Sequence, residues 1–163
     1  QEFDKWGSFS LIFFLILMFI GGCAGSTACG IKIFRVQILF SFIKNQLKKF
    51  IYPRGIFLIK YDNKTVDNNF MASIISFIYL YILIFFIIAV LLSLNGLDFL
   101  TSISAAATSI SNVGPGLGNM IGPNGNFSLL PDFSKWILSF GMILGRLELF
   151  AILVIFLPSF WRK

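Results

Sequence analysis

The chain has 163 residues, of which 57% are hydrophobic and 12% charged, a balance that leaves a soluble domain of this size short of polar surface to cover itself. Its net charge of +6 is unevenly spread, with eight of the thirteen basic residues between Lys32 and Lys64, so membrane topology accounts for it better than nucleic-acid binding. No histidine is present, which excludes imidazole metal sites and histidine acid–base chemistry, and the spacing of Cys23 and Cys29 fits no common zinc or redox motif.

In chain order, the sequence opens at Gln1 with neither a methionine nor a signal-peptide pattern, and is expected to be a piece of a longer protein. From Trp6 to Ile31 no residue is charged, yet helix-forming sequence stops at Ile20. Residues 21–30 hold four glycines among small side chains, and each glycine costs a helix about 1 kcal/mol relative to alanine. A broken transmembrane helix is expected, resuming from Ile31 to Ile51 with Lys32, Arg35, Lys44, Lys48 and Lys49 reaching the headgroup region, and ending before Pro53. Two apolar runs, 56–61 and 65–66, flank Asp62-Asn63-Lys64 and suggest a small hairpin turning at Asp62-Asn63. Residues 70–97 carry no charge and no proline, the clearest transmembrane helix of the chain.

The stretch that follows is the most informative. From Phe99 to Ser109 an uncharged helix-like run leads into Ser111-Asn112-Val113-Gly114-Pro115-Gly116-Leu117-Gly118. About 12 residues rise only about 18 Å, too little for a core about 30 Å thick, so the run is expected to enter the membrane and stop. Three glycines and a proline in five positions then forbid helix. Non-helical backbone at membrane depth is tolerated where it is buried in protein or lines a watery cavity, so this reads as a re-entrant pore loop. Residues 119–131, rich in Gly, Asn and Pro, read as an exposed turn, and a last helix is expected over 132–161, with Arg146 and Glu148 near its midpoint. The basic stretch 32–64 and the terminal Arg162-Lys163 are expected on the cytoplasmic side, and 98–132, which has no basic residue, outside. The fold class is therefore all-α integral membrane: a helix, re-entrant pore loop and helix repeat preceded by a broken transmembrane helix.

A re-entrant helix aims the negative end of its dipole at the midplane, which favours a cation there. The backbone of Ser111, Asn112, Val113 and Gly114 is expected to present carbonyls to that cation, with Pro115 holding Gly114 extended and the Ser111 and Asn112 side chains bracing the segment from behind. Ala105, Ala106 and Ala107 are small enough for close neighbours. Arg146 is costly inside a membrane, about 2.5 to 3.5 kcal/mol, and must face protein or water; Glu148, two residues on, points to nearly the opposite side of a helix. Gly141 and Gly145 form a small-xxx-small pair, for which the glycine-rich break is the expected neighbour. Arg146 and the residue 21–30 loop are expected to form a gate below the filter; the plainer alternative is that Arg146 only satisfies loop carbonyls and the glycines only allow close packing.

At these residues the sequence resembles the Trk/Ktr/HKT superfamily of potassium transporters, most closely its bacterial TrkH branch. The matching segments are Gly21-Gly22-Cys23-Ala24-Gly25-Ser26-Thr27 with Gly30-Ile31-Lys32, then Asn112-Val113-Gly114-Pro115-Gly116-Leu117-Gly118, Gly145-Arg146-Leu147-Glu148, and Pro158-Ser159-Phe160-Trp161-Arg162. The resemblance implies four helix, pore loop, helix repeats around one potassium pathway in the bacterial cytoplasmic (inner) membrane, as a multi-pass protein. Residues 1–52 would then be the inner helix of the third repeat with its intramembrane gating loop 21–30, residues 53–69 a cytoplasmic connector, and residues 70–163 the fourth repeat: helix 70–97, pore helix and filter loop 98–118, extracellular turn 119–131 and helix 132–161. Gly114 would be the filter glycine, with K+ held by the backbone of Asn112, Val113 and Gly114. Gly21, Gly22, Gly25, Ser26, Thr27, Gly30 and Arg146 would be the gate. K+ would be the transported ion, with no covalently bound cofactor and no enzymatic activity. Implied partners are the lipid bilayer, the remaining repeats, a second copy in a homodimer, and a peripheral nucleotide-binding regulatory subunit near residues 32–64, with no nucleic acid. One departure stands out: Ala28 and Cys29 occupy positions where the family usually has glycine. The alternatives are a neutral-solute facilitator, in which Arg146 excludes cations, and a non-conducting membrane scaffold.

Overall fold

The computed structural model describes residues 7–23, 25–55, 57–61, 64–118, 120–123, 125–147, 154–155 and 158–161. Helix α1 (Ser8–Phe19) gives way to the glycine-rich loop, and α2 (Ile33–Ile51) resumes beyond it. A two-stranded antiparallel hairpin, β1 (Lys60–Tyr61) and β2 (Lys64–Thr65), pairs Lys60 with Thr65 and Tyr61 with Lys64. Lys64 thus belongs to the second strand rather than to the turn, and Asp62 and Asn63 lie outside the described residues. Helices α3 (Asn68–Leu94), α4 (Phe99–Ser111) and α5 (Asp132–Arg146) follow, with a short 3-10 turn at Phe127–Leu129 before α5.

Among the described residues one helix, Asn69–Leu94, is long and apolar enough to cross a bilayer. Helix α3 as a whole, 27 residues, rises about 40 Å. Met71, Ile74, Phe77, Tyr81, Ile88 and Leu92 form its buried stripe, while Phe70, Tyr79, Phe86 and Val90 stay exposed on its other sides. A helix apolar all round, with only one side packed inside the chain, belongs in lipid or against further helices.

Helix α4 is the centre of the core. It packs against α5, α3 and α1. Ala105, Ala106 and Ala107 are fully buried, as are Ser104, Ser109 and Ile110. Side chains of this size let three neighbours close on a short helix from three sides, and the hydroxyls find partners on the chain itself: Ser109 Oγ donates to Ala106 O (2.9 Å) and Ser104 Oγ to Leu117 O (3.1 Å).

Two expectations change. Ser111 is the last residue of α4 rather than part of the extended segment. The final helix is not continuous to Trp161: α5 ends at Arg146, where the Leu147 N–H bonds Ile143 O at 3.1 Å, and helix reappears at residues 154–155 and at Pro158–Trp161. Arg146 therefore sits in a last helical turn, where the helix dipole favours a cation, and not at mid-helix; Gly141 and Gly145 weaken that end. Glu148 lies outside the described residues.

Candidate functional site

The break between α1 and α2 is a loop closed at its base. Ile20 and Ile31 form an isolated parallel bridge, in which the Gly21 N–H donates to Ile31 O and the Ile31 N–H to Phe19 O, both at 3.0 Å. The glycines there are steric requirements: a Cβ on Gly21 would lie 2.6 Å from Cys29 O, and Gly30 has φ +85°. Gly22 packs against Ser26 and Ala28. Ser26 closes a small turn, its N–H donating to Cys23 O (3.1 Å) and its Oγ accepting from the Ala28 N–H (3.3 Å). Around Gly25, at the tip, no described residue beyond its chain neighbours lies within 4 Å of where its Cβ would be.

Across from the loop, α4 ends in a left-handed residue, Asn112 (φ 51°, ψ 43°), a conformation asparagine tolerates because its short side chain can bond locally. Here the Asn112 Nδ2 donates to Met142 O of α5 at 3.0 Å. On the opposite side Ser111 Oγ and the Tyr81 hydroxyl of α3 are 2.6 Å apart. Behind the segment stands Thr108: its carbonyl accepts from the Val113 N–H (3.1 Å) and its Oγ1 from the Gly114 N–H (2.9 Å). Ser111 and Asn112 thus anchor the helix exit to the flanking helices, and the bracing from behind comes from Thr108, which the sequence reading missed. Its signal was a hydroxyl one turn before the helix stop. With those N–H groups taken, the carbonyls of Asn112, Val113 and Gly114 accept no hydrogen bond among the described residues, and Val113, Gly114 and Pro115 are exposed. Gly114 has φ +111°, and no described residue beyond its chain neighbours lies within 4 Å of a Cβ position there.

Arg146 joins the two parts. Its Nη1 donates to Thr27 O at 2.8 Å and lies 3.8 Å from Cys29 Sγ. A cavity of about 430 Å³ has Ser111, Asn112 and Val113 on one wall and Gly21, Gly22, Thr27 and Cys29 on another, with Arg146 between them. A second, of about 240 Å³, lies on the other side of the loop among Thr27, Cys29, Lys32, Arg35, Tyr81 and Arg146. Arg35 is seated on the Phe77 ring, 3.9 Å from its centroid. Of the expected site residues, the structure brings Thr27 and Arg146 into contact and sets Gly21, Gly22, Ser26, Ser111, Asn112 and Val113 around one space. Gly25 is at the loop's outer tip, and Gly30 at its base.

The small-xxx-small pair has a different neighbour from the expected one. Gly145 faces the backbone of Ile110 so closely that any Cβ would collide with its carbonyl, and a Cβ on Gly141 would lie 2.9 Å from Ser109 Oγ. The pair seats α5 on the end of α4, not on the glycine-rich break, because α4 is the element buried between α3 and α5.

Among the described residues no cluster of His, Cys, Asp or Glu is gathered to hold a resident metal. The space is lined instead by small and polar residues, Ser26, Thr27, Cys29, Ser111 and Asn112 among them, with the Arg146 guanidinium between its walls.

A family model described as TrkH, cation transport protein, matches residues 1–163. The Trk system potassium uptake protein TrkI of Halomonas elongata is 43% identical over 163 residues, covering 100% of this chain and 33% of that protein. TrkH of Escherichia coli K12 is 34% identical over 159 residues, 98% of this chain and 32% of its own length. The chain thus spans about a third of the curated relatives it matches. The crystal structure of the potassium transporter TrkH from Vibrio parahaemolyticus superposes with a TM-score of 0.88 at 33% identity, over 99% of this chain and 34% of that one.

Proposed function

The chain belongs to the TrkH family of cation transport proteins, and on that premise we propose that it forms one part of a potassium uptake pathway, with the carbonyls of Asn112, Val113 and Gly114 as one wall of an ion filter and the residue 21–30 loop with Arg146 as the gate beneath it. The observation that carries this reading is the shared cavity, with Ser111, Asn112 and Val113 on one side and the Arg146-anchored loop on the other. Thr108 supports the filter by accepting from the Val113 and Gly114 N–H groups, which across their trans peptides turns the Asn112 and Val113 carbonyls to the opposite side, toward an ion's shell. The C-terminal dipole of α4, about half an electron of negative charge, acts in the same direction.

At an effective dielectric of about 20, a guanidinium about 6 Å from a potassium ion contributes about 2.8 kcal/mol of repulsion, about a hundredfold in occupancy. Arg146 is thus a barrier as well as the clamp on Thr27. Selectivity resides in the carbonyls, with no covalent step. The chain lies in the bacterial cytoplasmic membrane with residues 32–64 inside; the inner half of a third repeat (1–52), a connector (53–69) and a fourth repeat (70–163) contribute to a four-repeat pore. A second copy and a nucleotide-binding regulatory subunit near the basic end of α2 complete the assembly.

The test is K+ uptake by the full-length subunit carrying Arg146→Ala, in cells without other K+ uptake and at matched membrane abundance. Uptake is expected to rise, by up to about a hundredfold from loss of the charge's repulsion alone. Unchanged uptake in a well-folded variant removes the gating role. A K+-independent rise in water or neutral-solute permeation would favour the facilitator.

A further inference from the structure

Tyr81 has no part in the filter or gate described above, yet it touches the surroundings of both. It is 2% exposed in the middle of α3. Its hydroxyl is paired with Ser111 Oγ at 2.6 Å, at the residue immediately before the left-handed Asn112 from which the carbonyl-bearing segment departs. Its ring meets Phe19, the last residue of α1, edge to face at 6.2 Å. Phe19 is itself part of the loop base, since its carbonyl accepts the Ile31 N–H. On its other side the ring lies against Phe77, at 6.1 Å, and Phe77 carries the Arg35 guanidinium of α2. Tyr81 also lines the cavity on the far side of the loop.

A phenylalanine would fill the same volume, so packing alone does not explain the hydroxyl. Ser111 is buried as well. A buried hydroxyl pair is directional, and removing one partner leaves the other unsatisfied at a cost that packing does not recover. We propose that Tyr81 is a positioning residue for ion selection: its hydroxyl fixes Ser111 and so sets the angle at which Asn112, Val113 and Gly114 leave α4, while its ring ties that exit to the loop base through Phe19. This rests on the reading of residues 112–114 as a filter wall. Asn112 and Thr108 hold the segment from α5 and from behind, so the Tyr81 bond is its only brace among the described residues that comes from α3.

The experiment measures K+ and Na+ uptake by the full-length subunit in wild type and in Tyr81→Phe, Ser111→Ala, the double variant and Gly114→Ser, each normalised to the amount of protein in the membrane. Tyr81→Phe and Ser111→Ala are each expected to shift the K+/Na+ ratio by about fivefold, and the double variant no further, because both remove the same bond. A parallel fall in both ions with an unchanged ratio would make Tyr81 merely structural and overturn the proposal. So would additive shifts. If Gly114→Ser alters the ratio and Tyr81→Phe does not, the filter stands and the positioning role falls; if Gly114→Ser leaves the ratio unchanged, both fall.

Discussion

Two irregular segments, each placed by glycine between helical stretches, are held in opposite ways. The exit of α4 is fastened from three directions, by the Tyr81 hydroxyl, the Met142 carbonyl and Thr108, and stands on a helix whose last turns are buried. Among the described residues the 21–30 loop is closed at its base by the Ile20 and Ile31 bridge and the Ile33 N–H to Gly22 O bond and turned on itself at Ser26, and from outside one side chain, Arg146, hydrogen-bonds across to it, at the carbonyl of Thr27 and the Sγ of Cys29. A segment fixed from three sides keeps one geometry, as discrimination between ions of different size requires. A segment reached from outside by a single guanidinium can move when that side chain is lost, as the proposed gate requires.

The sharpest way to break this contrast is at Gly145. Gly145→Ala places a methyl on the Ile110 carbonyl, and is expected to cost about 3 kcal/mol and to separate α5 from α4. Thermal melting of the purified full-length subunit, together with its level in membranes, checks this; a normal melt would mean that α4 is not seated as described. Thr108→Val keeps the shape and removes Oγ1, so the Gly114 N–H loses its acceptor. About 1 to 3 kcal/mol of the local geometry goes with it, and K+/Na+ discrimination is expected to fall while Arg146-dependent gating persists. At the other end of the scale, Gly25→Ala adds a methyl where no described residue beyond its chain neighbours lies within 4 Å, and the melting temperature is expected to correspond to a change of less than about 0.5 kcal/mol. A large loss there would show that the loop tip is as tightly packed as the α4 exit.

Much of this arrangement can be read from local composition. The helix breaks at residues 21–30 and ahead of Gly114-Pro115-Gly116 follow from glycine and proline, whose costs act within a turn of where they stand, although the sequence set the second break before Ser111 and the structure sets it after. The charge-free run giving α3 and the three alanines inside α4 are equally plain. What failed was the extent of the last helix, since an apolar run with Gly141 and Gly145 looks like one span until α5 is seen to stop at Arg146. The partner of those glycines was misread for a related reason. Spacing shows that a backbone can approach, but not which one.

The sequence by itself therefore determined the helix breaks at residues 21–30 and beyond α4, which side chains are small, and which segments carry the family's pattern. Only the tertiary structure decided who meets whom: Arg146 finds a carbonyl 119 residues away, Tyr81 finds Ser111 across 30, and Gly145 receives Ile110. The reason is physical. Breaking a helix is a local cost written in a few residues, whereas a hydrogen bond between distant side chains exists only after α1, α3 and α5 have closed around α4.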